Sequence, residues 1–356
     1  MRITSAGFCL ALVFAPLPLQ IYGKAFAPIF GADDPDSTNW IDSVHNYIYG
    51  KSHGSVEWFD DQFVPDGEKP IPLPPSRFRL GLFSEFDFGK GNGFQISPVV
   101  DFKTDVHLPN LEHRLRLFVT TEDQAALPGD DPLESNNALR IGATRDLFKN
   151  WDTSLGVKAR WPPEVFANVQ WSRKYDAGTH WSLYPRVKLF WDSKDKFGYL
   201  GSLVGDRWQD RWLFRQTLSF RWDGREQEDD SDDANDPDNS RFGEDGGGYR
   251  WESSTVVGYV PLLIDERDYG RTVRGSDVAD GWGARGRVVG DIVQPLTYEI
   301  SLFRKGRLYK NYLFYTIVPL IEWDQDEDWD AEFGFRIGVE MLLWGDDPLR
   351  RPSTGG

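Results

Sequence analysis

The stretch Trp151-Asp152-Thr153-Ser154-Leu155-Gly156-Val157-Lys158-Ala159-Arg160-Trp161 decides the fold. One parity reads Trp151, Thr153, Leu155, Val157, Ala159, Trp161, and the other reads Asp152, Ser154, Gly156, Lys158, Arg160. A period of two separates apolar from polar residues completely, whereas the 3.6-residue period of a helix would mix the two sets. The segment is therefore a strand with one greasy and one hydrated side.

The same alternation continues outward from there. Near the end of the chain Trp329, Ala331, Phe333, Phe335, Ile337, Val339, Met341 and Leu343 face one way, and Asp330, Glu332, Gly334, Arg336, Gly338 and Glu340 the other. Fourteen such strands are expected, near 76–89, 94–108, 112–122, 137–148, 151–161, 163–175, 179–191, 196–208, 211–223, 249–261, 281–292, 296–309, 312–323 and 329–344. Several exceed ten residues, long for a soluble sandwich and suited to crossing a bilayer at a tilt. With the N-terminus placed in the periplasm, the acidic stretches 123–136 and 224–248 lie outside, and tight turns such as Lys149-Asn150, Gln209-Asp210 and Lys310-Asn311 lie inside. Long loops at one end and short turns at the other mark an up-and-down transmembrane barrel. The long stretch 262–280 falls on the short-turn side, so twelve strands is the fallback count.

Composition agrees. The chain has 356 residues, 56 Asp plus Glu against 40 Lys plus Arg, and a formal net charge of −16, which excludes a basic nucleic-acid footprint. One Cys excludes a disulfide scaffold or a Cys-based metal site. No Gly-rich phosphate loop or metal-ligating His cluster is present, so no cofactor and no enzymatic activity are expected. The pair His180 and Ser182, on one parity with no orienting acid, is the weak catalytic candidate of a lipid hydrolase. Residues 1–25 read as an export signal, with Arg2, an apolar run from Ala6 to Leu19 and a small-x-Ala end at Gly23-Lys24-Ala25. Residues 26–75 form a helical, Pro-rich periplasmic segment, 76–344 the barrel, and 345–356 a tail.

Tryptophan placement discriminates further. Trp151, Trp161, Trp171, Trp181 and Trp191 recur every ten residues, at or near strand ends, and Trp222, Trp323 and Trp344 also lie at strand ends. An indole has a greasy body and one N–H donor, so it prefers the headgroup level of a membrane. These eight residues are the expected aromatic girdle.

Here the chain resembles the β-barrel proteins of the Gram-negative outer membrane, porin-like in size. The C-terminal strand resembles the class's assembly signal through Arg336-x-Gly338-x-x-Met341-x-Leu343, although a tail of twelve residues follows Trp344. Leu108-Pro109-Asn110-Leu111-Glu112-His113-Arg114-Leu115-Arg116-Leu117 and Leu308-Tyr309-Lys310-Asn311-Tyr312-Leu313-Phe314-Tyr315 look like stretches of uncharacterised porins. The resemblance implies a fold and a compartment, with outer-membrane lipid, lipopolysaccharide and the barrel-assembly machinery as partners. It implies no particular solute.

If the apolar parity faces lipid, the other parity lines a lumen. Its basic wall is Arg114, Arg116, Arg140, Lys158, Arg160, Arg186, Lys188, Arg215 and Arg221; its acids include Glu85, Asp87, Asp101, Asp105, Glu332 and Glu340. Facing hydrocarbon, each charge would cost about 2–4 kcal/mol at mid-bilayer. A wet, charge-lined lumen points to passage of small hydrophilic solutes, with the basic wall favouring anions. A closed or plugged structural barrel is the alternative, and a lipid hydrolase the third reading. The segment 37–63 is either a helix resting on the periplasmic mouth or a plug entering the lumen through Trp40, Ile41, Val44 and Ile48. Glu226 to Asp238 holds eight acids in thirteen residues, either a solvated loop or a site for divalent cations.

Overall fold

Alternation at period two becomes a wall of antiparallel strands that returns on itself. The computed structural model describes residues 40–64, 67–72, 76–89, 93–110, 115–121, 139–148, 150–159, 163–178, 180–193, 196–223, 249–264, 278–291, 294–325, 328–344 and 349–350. A helix, α1 (Trp40–Asp61), precedes the strands β1 (Arg77–Gly89), β2 (Gly93–His107), β3 (Leu115–Thr120), β4 (Arg140–Phe148), β5 (Trp151–Lys158) and β6 (Glu164–Ser172). There follow β7 (Tyr175–Ala177), β8 (Trp181–Asp192), β9 (Lys196–Gln209), β10 (Trp212–Asp223), β11 (Tyr249–Ile264) and β12 (Val278–Asp291). The last are β13 (Pro295–Tyr309), β14 (Leu313–Asp324), β15 (Ala331–Trp344) and β16 (Leu349–Arg350). Every long strand pairs antiparallel with its neighbours, and β1 closes on β15 from Arg77↔Trp344 to Phe88↔Phe333. Among the described residues each long strand thus has a bonded neighbour on both sides, the condition for β-structure in hydrocarbon.

Leaving aside the short β7 and β16, the barrel has fourteen strands, as expected from the alternation. The fallback of twelve does not apply. β11 and β12 each run about three residues further toward the periplasm than their alternation suggested, and the stretch 265–277 lies outside the described residues. The signal segment 1–25, the acidic loop 226–238, Arg114, Arg160 and Trp161 lie outside them too. Tight turns fall where expected: Asn150 and Asp210 take left-handed φ of 69° and 56° between β4 and β5 and between β9 and β10. Asn and Asp tolerate that region better than other residues bearing a Cβ.

Burial shows which face is which. On β5 Leu155 and Val157 are exposed while Ser154, Gly156 and Lys158 are buried. The same inversion runs round the wall: Leu82, Val100, Ile141, Val187, Leu203, Leu218, Ile300 and Ile337 are exposed, and Arg79, Arg140, Lys188, Asp206, Glu252, Arg287 and Glu340 are buried. The greasy parity looks out and the hydrated parity looks in, as the alternation predicts.

Two aromatic girdles mark the ends of the outer wall. Trp151 pairs with Trp171 at the short-turn end, followed by Trp181 and by Trp212 packed edge-on to Trp282 and Tyr259 at 5.4 and 5.6 Å. Trp191, Trp222 stacked on Tyr199 at 5.5 Å, and Trp329 beside Tyr298 at 5.4 Å hold the other end, with Trp323. Trp344 does not belong to either girdle. It is the next residue after the outward Leu343, so its parity is inward, where it is buried with Ile264, Ala279, Phe314 and Leu342 under Arg77.

α1 does not enter the lumen. Ile41 packs on Tyr309 and Leu313. Ile48, Tyr49 and Val56 pack on the cluster of Phe78, Val106, Leu108 and Leu343. Those strand residues belong to the outward parity, so the helix lies on the outside of the wall along its short-turn rim. Of the two alternatives for this segment the plug is the one corrected: Ile41 and Ile48 seat on the exterior at the rim, and Trp40 and Val44 face away from the barrel, exposed.

Candidate functional site

Among the described residues the inward parity carries most of the ionised strand side chains, so the lumen wall is the candidate site. Its charges are held by neighbours along the wall. On β15 and β1, Arg336 Nε donates to Glu85 at 2.7 Å, and Glu340 receives Lys305 Nζ at 2.9 Å, with Arg79 Nε 3.9 Å away. On β11 to β13, Arg287 lies between Glu252 (3.4 Å) and Glu299 (3.7 Å), and Arg285 reaches Glu299 at 3.1 Å. On β9 and β10, Arg215 grips Asp206 with both ends of its guanidinium, at 2.6 and 2.7 Å. Lys158 on β5 lies 2.5 Å from Asp192 and 3.3 Å from Glu164. Each of these ion pairs joins adjacent strands or strands one apart. None of them bridges the barrel.

Described members of the expected basic wall stand on the inward parity. Arg140 and Lys188 are buried and Arg186 and Arg221 half-buried on the inward parity, with the Arg221 guanidinium 5.3 Å above the Phe190 ring. Arg116 sits on β3, but its side chain lies outside the described residues, as does that of Asp105 on β2. Among the acids, Asp101 accepts from Thr121 Oγ1 at 3.0 Å, and Asp87 and Glu332 are half-buried on the inward face. Sequence reasoning missed Asp192 and Asp206, which sit within the basic arc and partner Lys158 and Arg215. Parity alone places Asp206 inward, but Val204 and Leu200 share that parity and blur the alternation on β9. The arc is therefore closer to neutral than the count of arginines and lysines suggests.

Between the charges the inner wall is filled by rings over glycines. A Cβ on Gly142 would stand 2.7 Å from Phe118 Cζ, and one on Gly156, its cross-strand partner, 2.6 Å from Phe166 Cζ. Only glycine lets these rings lie flat on the strands. Toward the short-turn end the inward face of β11 to β15 turns apolar, with Ile264, Ala279, Phe314, Leu342 and Trp344 in one cluster. β16 pairs there with Leu263 and Ile264 of β11.

On the outer wall a groove of about 530 Å³ opens over Gly286, between Ser253, Thr255, Tyr298, Ile300 and Trp323. Thr255 Oγ1 donates to Gln216 Oε1 at 2.6 Å and Gln216 Nε2 to Ser253 Oγ at 3.2 Å. Three polar side chains on the lipid face thus satisfy one another, as a hydrocarbon setting demands. The weak catalytic candidate finds no pairing: Ser182 Oγ donates to Asp176 at 3.0 Å, not to His180. That bond and Lys174 hold the Asp176 carboxyl below its usual range.

Fold and site together define a closed transmembrane β-barrel of the outer-membrane kind with a charge-lined interior. Structures similar to it include OprB of Pseudomonas putida at high pH, with 8% identity, a TM-score of 0.40, and coverage of 76% of this chain and 94% of that one. OprD of Pseudomonas aeruginosa is similar at 12% identity and a TM-score of 0.38, covering 79% and 96%. An anion-selective porin from Comamonas acidovorans is similar at 7% identity and a TM-score of 0.38, covering 76% and 99%. No protein-family model matches the chain, and no curated protein matches its sequence. The assignment of the barrel rests on its own strand pairing and on the inversion of its two faces.

Proposed function

We propose that the barrel is a porin-like channel through which small hydrophilic solutes diffuse across the outer membrane, without catalysis. The observation that carries this reading is the lateral pairing of the inward charges. Salt bridges laid along the wall, such as Arg336–Glu85 and Arg215–Asp206, keep long side chains against the strands. Fixed charges of both signs then face solute at close quarters, the arrangement that orders polar solutes in a pore. A modest preference for anions is part of the proposal, with Arg186 and Lys188 of β8 as its carriers.

Planar-bilayer conductance of the full chain tests it. Single-channel steps are expected, and Arg186→Gln with Lys188→Gln is expected to move the reversal potential toward cation preference. An unchanged reversal potential removes the anion preference. A closed structural barrel is the second reading, favoured by the apolar cluster around Phe314, Leu342 and Trp344 at one mouth. Silence from both the full chain and a variant ending at Trp344 would select that reading over the channel.

A further inference from the structure

α1 has three faces, and the barrel accounts for only one of them. At 3.6 residues per turn, Ile41, His45, Tyr49, Val56 and Asp60 point at the wall, and most of them are buried there. Trp40, Val44, Tyr47, Lys51 and Trp58 form a second line on the opposite side. Trp40, Tyr47 and Trp58 are 71%, 67% and 67% exposed, the largest apolar exposures in the described chain. A third line, Ser43, Asn46, Gly50, Glu57 and Asp61, is wholly polar apart from its glycine and is exposed. Ile48 and Phe59 fall between the wall line and the aromatic line.

The helix is also the right length for the rim. Its two ends are tied to two turns: Asp42 accepts from Tyr309 OH (2.9 Å), Lys310 Nζ (2.9 Å) and Tyr312 OH (2.5 Å) at the β13–β14 turn. Asp60 accepts from the Asn110 amide side chain (2.7 Å) and backbone N–H (3.2 Å) at the β2–β3 turn. Between those ties His45 Nε2 donates to the Leu342 carbonyl (3.0 Å), and His53 shares a hydrogen bond with Ser76 (3.0 Å). The helix covers about 27 Å from Asp42 to Asp60. Four strand spacings along the rim of a tilted barrel amount to roughly 25 Å.

This arc is where the periplasmic girdle fails. Trp151, Trp171, Trp181, Trp212 and Trp282 furnish it from β5 to β12. From β13 round to β3 the outward residues at that end are Tyr309, Leu313, Met341, Leu343, Phe78, Val106 and Leu117, all under or beside α1 and none a Trp. We infer that α1 lies in the plane of the membrane at its periplasmic surface and completes the girdle, its Trp40, Val44, Tyr47, Lys51 and Trp58 face taking phospholipid headgroups and the adjoining acyl carbons. Aromatic amphipaths with a lysine among them are the chemistry of that layer. The surface is continuous with the lipid-facing wall, and the polar line is left to the periplasm. The inference rests on the barrel standing in a bilayer.

Single cysteines in a Cys9→Ser background of the full chain, carrying an environment-sensitive fluorophore, test it in phosphatidylethanolamine–phosphatidylglycerol vesicles. Labels at Tyr47→Cys and Trp58→Cys are expected to lose fluorescence to shallow doxyl phospholipid and to be shielded from iodide. Labels at Asn46→Cys and Glu57→Cys are expected to do the reverse. Equal iodide quenching at all four positions overturns the inference. So does shielding of positions 47 and 58 from both quenchers, which would mean a protein partner or a second copy. Leu155→Cys, at mid-wall on β5, separates the two levels. If it is not quenched by doxyl lipid, the bilayer reading itself fails. If it is quenched while 47 and 58 are not, only the placement of α1 fails.

Discussion

The short-turn rim has two arcs built on different principles. From β5 to β12 the strands furnish their own interface, with Trp212, Tyr259 and Trp282 packed on one another. From β13 to β3 the outward strand ends are mostly aliphatic, with Tyr309 and Phe78 but no Trp among the described residues, and a separate helix is laid over them. Lipid tails are as apolar as Leu, so a helix on the lipid face of a wall gains little from greasy contacts that acyl chains could replace. What fixes it must be polar and must lie at the rim. Asp42, His45, His53 and Asp60 are those contacts. One arc is thus held by aromatic packing within the sheet, and the other by hydrogen bonds between a helix and turns.

Asp42→Ala breaks the comparison most sharply. Three donors lose their acceptor at once, one of them a lysine, and hydrogen bonds to charged groups are worth about 1.5–3 kcal/mol. Amide exchange in Ile41 to Tyr49 is expected to quicken roughly 10- to 100-fold, while β9 and β10 on the other arc keep their protection. Unchanged exchange in α1 would show that apolar packing holds the helix after all.

The two stretches that carry the likeness to porins are the two turns that hold α1. Pro109 to Leu111 and Lys310-Asn311 read in sequence as tight turns, and nothing local in them points to a helix. Their partners lie 50 and 267 to 270 residues away in the chain, beyond the reach of any local period. Strand count, wall polarity and most of the girdle were legible because a period of two repeats within each strand. The helix was legible as a helix through a different local period, the 3.6-residue spacing of Trp40, Ile41, Val44 and Ile48. Its side of the wall was not, because an amphipathic stripe says that something is covered and not by what. Trp344 failed differently: it sits at a strand end, as a girdle residue does, but it follows the outward Leu343, so its parity already points inward, and its register against Arg77 agrees.

Trp282→Ala strikes the other arc. It removes the edge contact with Trp212 at 5.4 Å and the tilted contact with Tyr259 at 6.3 Å. Aromatic pairs contribute about 0.5–1.5 kcal/mol beyond their buried area. The barrel should unfold at lower temperature by gel mobility in detergent, with α1 exchange unchanged. A loosened helix in this variant would mean that the two arcs are coupled through the sheet.

Alkaline pH should separate the arcs by the smallest margin. The hydrogen bond to Asp42, with that carboxylate's charge, raises Lys310 above the usual lysine value of about 10.4. Burial, and then the Asp42 bond, hold the Tyr312 phenol well above its usual range. Both groups bind their protons more tightly with the helix docked than free, so their contribution is whole below the undocked values and fades as pH climbs through the raised ones. Anisotropy of a probe at Ser43→Cys should therefore be flat from about pH 6 to 9 and fall above about pH 10. The Trp212–Trp282 contact on the other arc joins two indoles, which do not titrate, so its contribution should not follow the same curve. A probe at residue 43 that loosens on acidification instead would shift the tie from Lys310 and Tyr312 to the Asp42 carboxylate itself.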